Sequence, residues 1–255
     1  MTIVSLIPLG VGDAFTARNY TSCIALGIDG DWLLIDCPHP VRKMLREATI
    51  DAGLPEPLDL DRIHAVAVSH LHADHCCGLE DFGYYSFFAL NRRAKLLMHP
   101  DASARLWDGL LAAGMEFVQA KPDAPPVQSQ LSDYFELIDL NPSHAVKCGP
   151  FSVECRRTIH SVPTFAFRIT AGGRLLGYSA DTAYDPTLID WLADADTIVH
   201  EVTTMAQSGV HTPYEKLVAL PASLRSKMRL THYPDDFDVV SSVIEPLRQG
   251  QIYEV

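Results

Sequence analysis

The chain has 255 residues, room for one large domain or two small ones, and 47% hydrophobic against 20% charged residues is the balance of a globular protein with a sizeable core. Its 20 basic and 32 acidic residues leave a net charge of −12, which repels polyanions at long range and argues against a broad nucleic-acid-binding surface. No apolar run approaches the ~18–20 residues of a membrane span, and six scattered cysteines form no zinc-ribbon or disulfide pattern, which points to a reducing, cytoplasmic setting.

The opening Met1–Pro8 has no basic n-region or cleavage site and reads as a first strand. A β-meander follows, with strands over Ile3–Leu9, Ser22–Gly27 and Trp32–Ile35, a turn at Gly10-Val11-Gly12-Asp13 and a hairpin signal at Asp29-Gly30-Asp31. Asp36 closes the third strand, either as a turn residue or as a carboxylate that holds a metal-bound histidine in place. His39, between two prolines, reads as structural, and Val41–Ala52 as a short helix stopped at Gly53.

The run His64–Val68 has the small and β-branched composition of a buried strand. It leads straight into Ser69-His70-Leu71-His72-Ala73-Asp74-His75-Cys76-Cys77-Gly78. Three imidazoles and a carboxylate thus fall within six positions at a strand end. Histidine nitrogen and aspartate oxygen are the donors that borderline divalent metals such as zinc prefer. The i, i+2 histidine pair followed at once by Asp-His suits two ions side by side.

Downstream, Phe82, Tyr84, Tyr85, Phe87 and Phe88 read mostly as core or lid packing, with one or two free to flank a substrate. Lys95–Met98 reads as a strand ending at His99, Ala102–Ala113 as a helix ending at Gly114, 122–126 as a loop, and Tyr134–Leu140 and Phe151–Arg157 as strands. No internal repeat is visible, although a strand-rich opening followed by a second αβ stretch fits two related halves. The pattern suits two packed sheets covered by helices. Three more polar residues fall at strand ends: His160, Asp181 after Arg174–Tyr178, and His232 after Met228-Arg229-Leu230.

The His-x-His-x-Asp-His stretch, followed in this order by His160, Asp181 and His232, resembles the metallo-β-lactamase-fold hydrolases over essentially the whole chain. The resemblance implies one αββα domain spanning 1–255, with two packed mixed β-sheets flanked by helices. By the same resemblance His70, His72 and His160 hold one divalent metal, Asp74, His75 and His232 hold a second, and Asp181 bridges them. Zinc is the first expectation, with manganese or iron as alternatives. Thr197-Ile198-Val199-His200-Glu201-Val202-Thr203 is similar to the His-Glu-Ala-Thr segment of the ribonuclease Z group, and Val210-His211-Thr212 to that group's His-Ser-Thr loop, with Thr212 in place of the serine. This places His211 near a scissile phosphate, oriented by Glu201; Asp74, His211 and Glu201 make up the candidate catalytic set.

The bacterial ribonuclease Z enzymes carry a tRNA-gripping arm between the third-histidine motif and the bridging aspartate. Here His160 and Asp181 are only 21 positions apart (160 to 181), which leaves no room for one. The resemblance is therefore to arm-less relatives, among them cyclic-nucleotide phosphodiesterases of the anti-Pycsar type. It implies hydrolysis of a small phosphodiester, a 3′,5′-cyclic nucleotide first, by hydroxide shared between two metals. The alternatives are an RNA 3′-processing endonuclease and a lactone or thioester hydrolase of the same fold. Relatives of this branch pair as homodimers, and aromatics at 82–88 would suit such a surface.

Overall fold

The computed structural model describes residues 3–119 and 121–255; Met1 and Thr2 of the opening stretch lie outside the described residues. Alternating and continuous apolar runs fold into strands β1 (Ser5–Gly10), β2 (Cys23–Ile28), β3 (Asp31–Ile35), β4 (Ile63–Ala67) and β5 (Ala94–Met98). A short hairpin, β6 (Phe117–Val118) and β7 (Val127–Gln128), precedes β8 (Phe135–Asp139). The second half contributes β9 (Val146–Cys148), β10 (Phe151–Arg157), β11 (Phe165–Ala171), β12 (Arg174–Tyr178), β13 (Thr197–Glu201), β14 (Met228–Thr231), β15 (Glu245–Pro246) and β16 (Tyr253–Glu254).

These strands form two seven-stranded sheets, ordered β16-β1-β2-β3-β4-β5-β8 and β9-β10-β11-β12-β13-β14-β15. Read in those directions, each sheet has three antiparallel pairings followed by three parallel ones. The last strand, β16, crosses back to close the first sheet beside β1. Helices flank the sheets, so this is the expected mixed α/β sandwich. Its core includes Ile24, Leu26, Leu33 and Ile35 from one sheet and Phe165, Phe167 and Leu176 from the other, all at most 1% exposed. Strands buried on both faces read as near-continuous apolar runs, which is why β2, β3 and β4 were legible.

The hairpin between β2 and β3 turns on two residues, Asp29 (φ 51°) and Gly30 (φ 90°), the left-handed pair that matches strand twist. Helix α1 (Val41–Asp51) buries Val41, Met44, Leu45 and Ala48 on the i, i+3, i+4, i+7 stripe. Two expectations are corrected. Gly10–Asp13 is not a turn: β1 runs to Gly10, and Gly12 continues as extended chain bridging Thr21 and Tyr233. The helix expected at Ala102–Ala113 is split: a short helix over Pro100–Ser103, a turn at 104–105, then a π-helical turn at Trp107–Leu111 that continues as α-helix to Met115, past the expected stop at Gly114, whose carbonyl accepts the Tyr84 hydroxyl at 2.6 Å. Among the aromatics of 82–88, Phe82 is core, whereas Phe87 and Phe88 are exposed.

Candidate metal centre

All the singled-out polar residues except His39, His99 and His200 meet at one edge, where strands of both sheets end. The chain after β4 makes one helical turn, α2 (Ala73–Cys76), whose first hydrogen bonds run from His75 N and Cys76 N to His72 O. That turn puts His70, His72, Asp74 and His75 side by side. The second sheet supplies its residues singly: His160 three positions after β10, Asp181 after β12, Glu201 at the end of β13 and His232 directly after β14. Asp36, Ala180 and His232 have φ of 64°, 50° and 53°, three of the five non-glycine residues with positive φ among the described residues. A left-handed residue costs ~1–3 kcal/mol and persists where the surroundings over-determine it; here it turns each chain sharply from strand end into the site.

Three overlapping groups of donors result among the described residues, the third being Asp181, His211 and His232. His70, His72, His160 and Asp181 each offer an atom within 4.8 Å of the others, and so do Asp74, His75 and His232. Asp181 lies between them. Its Oδ2 is 3.8 Å from His70 Nε2, 3.9 Å from His160 Nε2 and 3.5 Å from His232 Nε2, and its Oδ1 is 3.4 Å from His75 Nε2. Asp74 Oδ2 is 3.1 Å from His75 Nε2 and 3.2 Å from His232 Nε2.

The proton positions show what the cluster fits. His75 Nδ1 donates to Asp36 Oδ2 at 2.8 Å and His160 Nδ1 to the Val210 carbonyl at 3.0 Å, so each ring, when neutral, turns its Nε2 lone pair to the cluster. His70 Nδ1 is held by Ser69 Oγ at 2.9 Å. Buried His70 Nε2, His75 Nε2 and Asp181 Oδ1 have no hydrogen-bond partner. Lone pairs of nitrogen and carboxylate oxygen converging in a buried space repel one another unless a cation stands among them. The donor set, nitrogen and oxygen with no cysteine, fits borderline divalent metals.

Electrostatics divide the set: Asp181 and Asp36 raise His75 against its burial, while three other histidines move the opposite way. Burial pushes the His70, His72 and His160 imidazoles down, toward the neutral form a ligand needs. The carboxyls of Asp74 and Asp181 fall below the usual carboxylate range despite burial, held there by His232 and His75. Conversely, Asp181 pushes His232 up to about 9 against its own burial.

Asp36 is the carboxylate behind the cluster. Fully buried, it takes Ser69 N at 2.7 Å on Oδ1, and Ser69 Oγ, His75 Nδ1 and the Tyr178 hydroxyl on Oδ2. Of the two readings the sequence left open for it, it therefore does the work of an orienting carboxylate.

At the mouth stands His211, its side chain 27% exposed. It lies within reach of Asp181 and His232, yet its Nδ1 is committed to Glu201 Oε1 at 3.2 Å. That oxygen also accepts Thr182 N at 2.9 Å and Thr212 N at 3.2 Å. Burial pushes the Glu201 carboxyl up, an effect the His211 bond opposes; the carboxylate in turn raises His211 against its own burial. His200, one residue before, donates Nδ1 to Glu201 O at 2.7 Å and is buried away from the cluster. His39 pairs with Asp81 on the surface, and His99 stacks on Phe165 with ring centroids 4.0 Å apart. Sequence reasoning missed Ser69, Tyr178, Thr182 and Thr212 as supporting residues, because hydroxyls carry no spacing signal of their own.

Two stacked mixed sheets with a His/Asp cluster at their common edge define a metallo-β-lactamase-fold protein. The solved metallo-beta-lactamase fold protein YhfI from Bacillus subtilis superposes with a TM-score of 0.75 at 20% identity, covering 99% of this chain and 100% of that one. The family described as Anti-Pycsar protein Apyc1 matches residues 4–253, and the chain belongs to it. It is similar to the Anti-Pycsar protein Apyc1 of Saccharibacillus brassicae (29% identity, 99% of this chain, 100% of the relative) and to that of Paenibacillus sp. strain J14 (30% identity, 96% of each).

Proposed function

We propose that the protein is a metal-dependent phosphodiesterase that opens a small phosphodiester, first of all a 3′,5′-cyclic nucleotide. The observation that carries this reading is the His211–Glu201 pair standing beside the seven-residue cluster. His70, His72 and His160 would hold one divalent ion and Asp74, His75 and His232 another, with Asp181 between; zinc is the first candidate. Ions so held supply Lewis acidity, lowering the pKa of water toward neutrality and drawing charge from the phosphoryl oxygens.

The chain's own groups do the rest. Asp36, with Ser69, fixes the His75 tautomer, and the Val210 carbonyl fixes that of His160. Glu201 raises the His211 imidazole against its burial, which favours the imidazolium that would steady the developing charge and give its proton to the leaving alkoxide. Small substrates are favoured because the interval from His160 to Asp181 is filled by paired strands β11 and β12 and their turn, not by a protruding arm. The net charge of −12 also disfavours a long polyanion. Exposed Phe87 and Phe88 support a homodimer as the working unit.

The test is a hydrolysis panel on metal-analysed protein: cyclic AMP, GMP, CMP and UMP, a cyclic dinucleotide, a tRNA precursor and a lactone. Turnover of cyclic mononucleotides, lost with chelator and in His72→Ala, is expected. Cleavage of the tRNA precursor or lactone with cyclic nucleotides untouched would overturn the reading.

A further inference from the structure

We propose that Tyr178 is a positioning residue that sets the spacing between the two halves of the metal centre, by anchoring the chain that carries Asp181 to Asp36. The inference rests on the two-ion reading of the cluster. Tyr178 ends β12 in the second sheet, and its hydroxyl donates to Asp36 Oδ2, at the end of β3 in the first, at 3.1 Å. The same oxygen takes His75 Nδ1 at 2.8 Å. One buried atom thus holds a ligand of the first sheet and the strand end that leads, three residues on, to the aspartate lying between the two groups.

The chain from Tyr178 to Asp181 is stiff enough to transmit that anchor. Ser179 N bonds Val199 O at 3.0 Å, Ser179 Oγ donates to Ala180 O at 2.8 Å and accepts Glu201 N at 2.9 Å. Ala180 is held left-handed, and Thr158 Oγ1 fastens the Asp181 carbonyl at 2.7 Å. A shift of Tyr178 therefore moves Asp181 and is not absorbed on the way. The hydroxyl can be removed cleanly. The ring packs parallel to that of Phe167, at a 15° interplanar angle, and Asp36 keeps its bonds from Ser69 and His75.

The experiment compares the full-length wild type with Tyr178→Phe after loading with manganese, reading metal content, competition with a chelator and the electron paramagnetic resonance spectrum. Wild type is expected to hold two ions per chain with an exchange-coupled signal. Tyr178→Phe should keep its melting temperature within a few degrees, bind one ion as before, hold the other about 10-fold more weakly, and show a mononuclear six-line signal in place of much of the coupled one. Unchanged affinities and an unchanged coupled signal would overturn the proposal. So would a variant that unfolds, because packing and not ligand spacing would then be what the hydroxyl supplies. A wild type that takes a single ion would overturn the two-ion reading itself, and this inference with it.

Discussion

The two halves of the molecule have the same strand pattern and fill the site in opposite ways. In each sheet three antiparallel pairings give way to three parallel ones, so β3, β4 and β5 occupy the places of β12, β13 and β14. The first half delivers His70, His72, Asp74 and His75 from one loop and one helical turn. The second delivers His160, Asp181, Glu201, His211 and His232 from separate strand ends and a loop between them. Equivalent positions are not used equally: His232 follows β14 and faces Asp181, whereas His99 follows β5, stacks on Phe165 and caps the next helix. A local cluster needs only one turn to form correctly. A distributed set needs the whole sheet, and it can be tuned residue by residue.

That contrast can be broken most sharply at Asp181, which faces both groups. Asp181→Ala should reduce turnover by about 10³-fold or more and lower the metal content, measured by elemental analysis; retention of both full metal content and turnover would show that the halves do not depend on it. His211→Ala should lower kcat by about 10²-fold while leaving the metal content unchanged, which would separate the proposed proton donor of the second half from the proposed ligands; a loss of metal would instead make His211 a ligand with Asp181 and His232.

Glu201→Gln should act through pH. The carboxylate raises His211, so its removal lets the imidazolium lose its proton at lower pH. The alkaline limb of the pH–rate profile should therefore move to lower pH; an unmoved limb would mean that Glu201 only braces Thr182 and Thr212. The smallest effect is expected in the first half. A side chain at Gly78 would meet the Cys37 and Pro38 carbonyls, so Gly78→Ala should cost about 1–3 kcal/mol of stability by denaturant unfolding. The surviving folded protein should still bind metal.

The same contrast explains what the sequence revealed. The His70–His75 cluster was legible because its residues are neighbours in the chain, and β2, β3 and β4 because their residues are nearly all buried and apolar. His160, Asp181 and His232 were legible only as an ordered set, since a lone strand-end histidine looks the same at 99 as at 232. Their partners were not legible: Tyr178 reaches Asp36 across 142 positions, and nothing in either residue's surroundings in the sequence announces the other. Asp36 stood open between two readings until its four hydrogen bonds were in view. The Gly10–Asp13 stretch misled because its glycines serve close packing, Gly10 under the Tyr20 and Thr21 carbonyls and Gly12 against the Thr16 side chain, not a turn.

The most direct test of the account is a titration of the metal-free protein with Zn²⁺ while the hydrolysis of a 3′,5′-cyclic nucleotide is followed. The proposed two-ion centre predicts activity that climbs to a plateau at two equivalents of zinc per chain. A plateau at one equivalent, or turnover already complete before zinc is added, would contradict it.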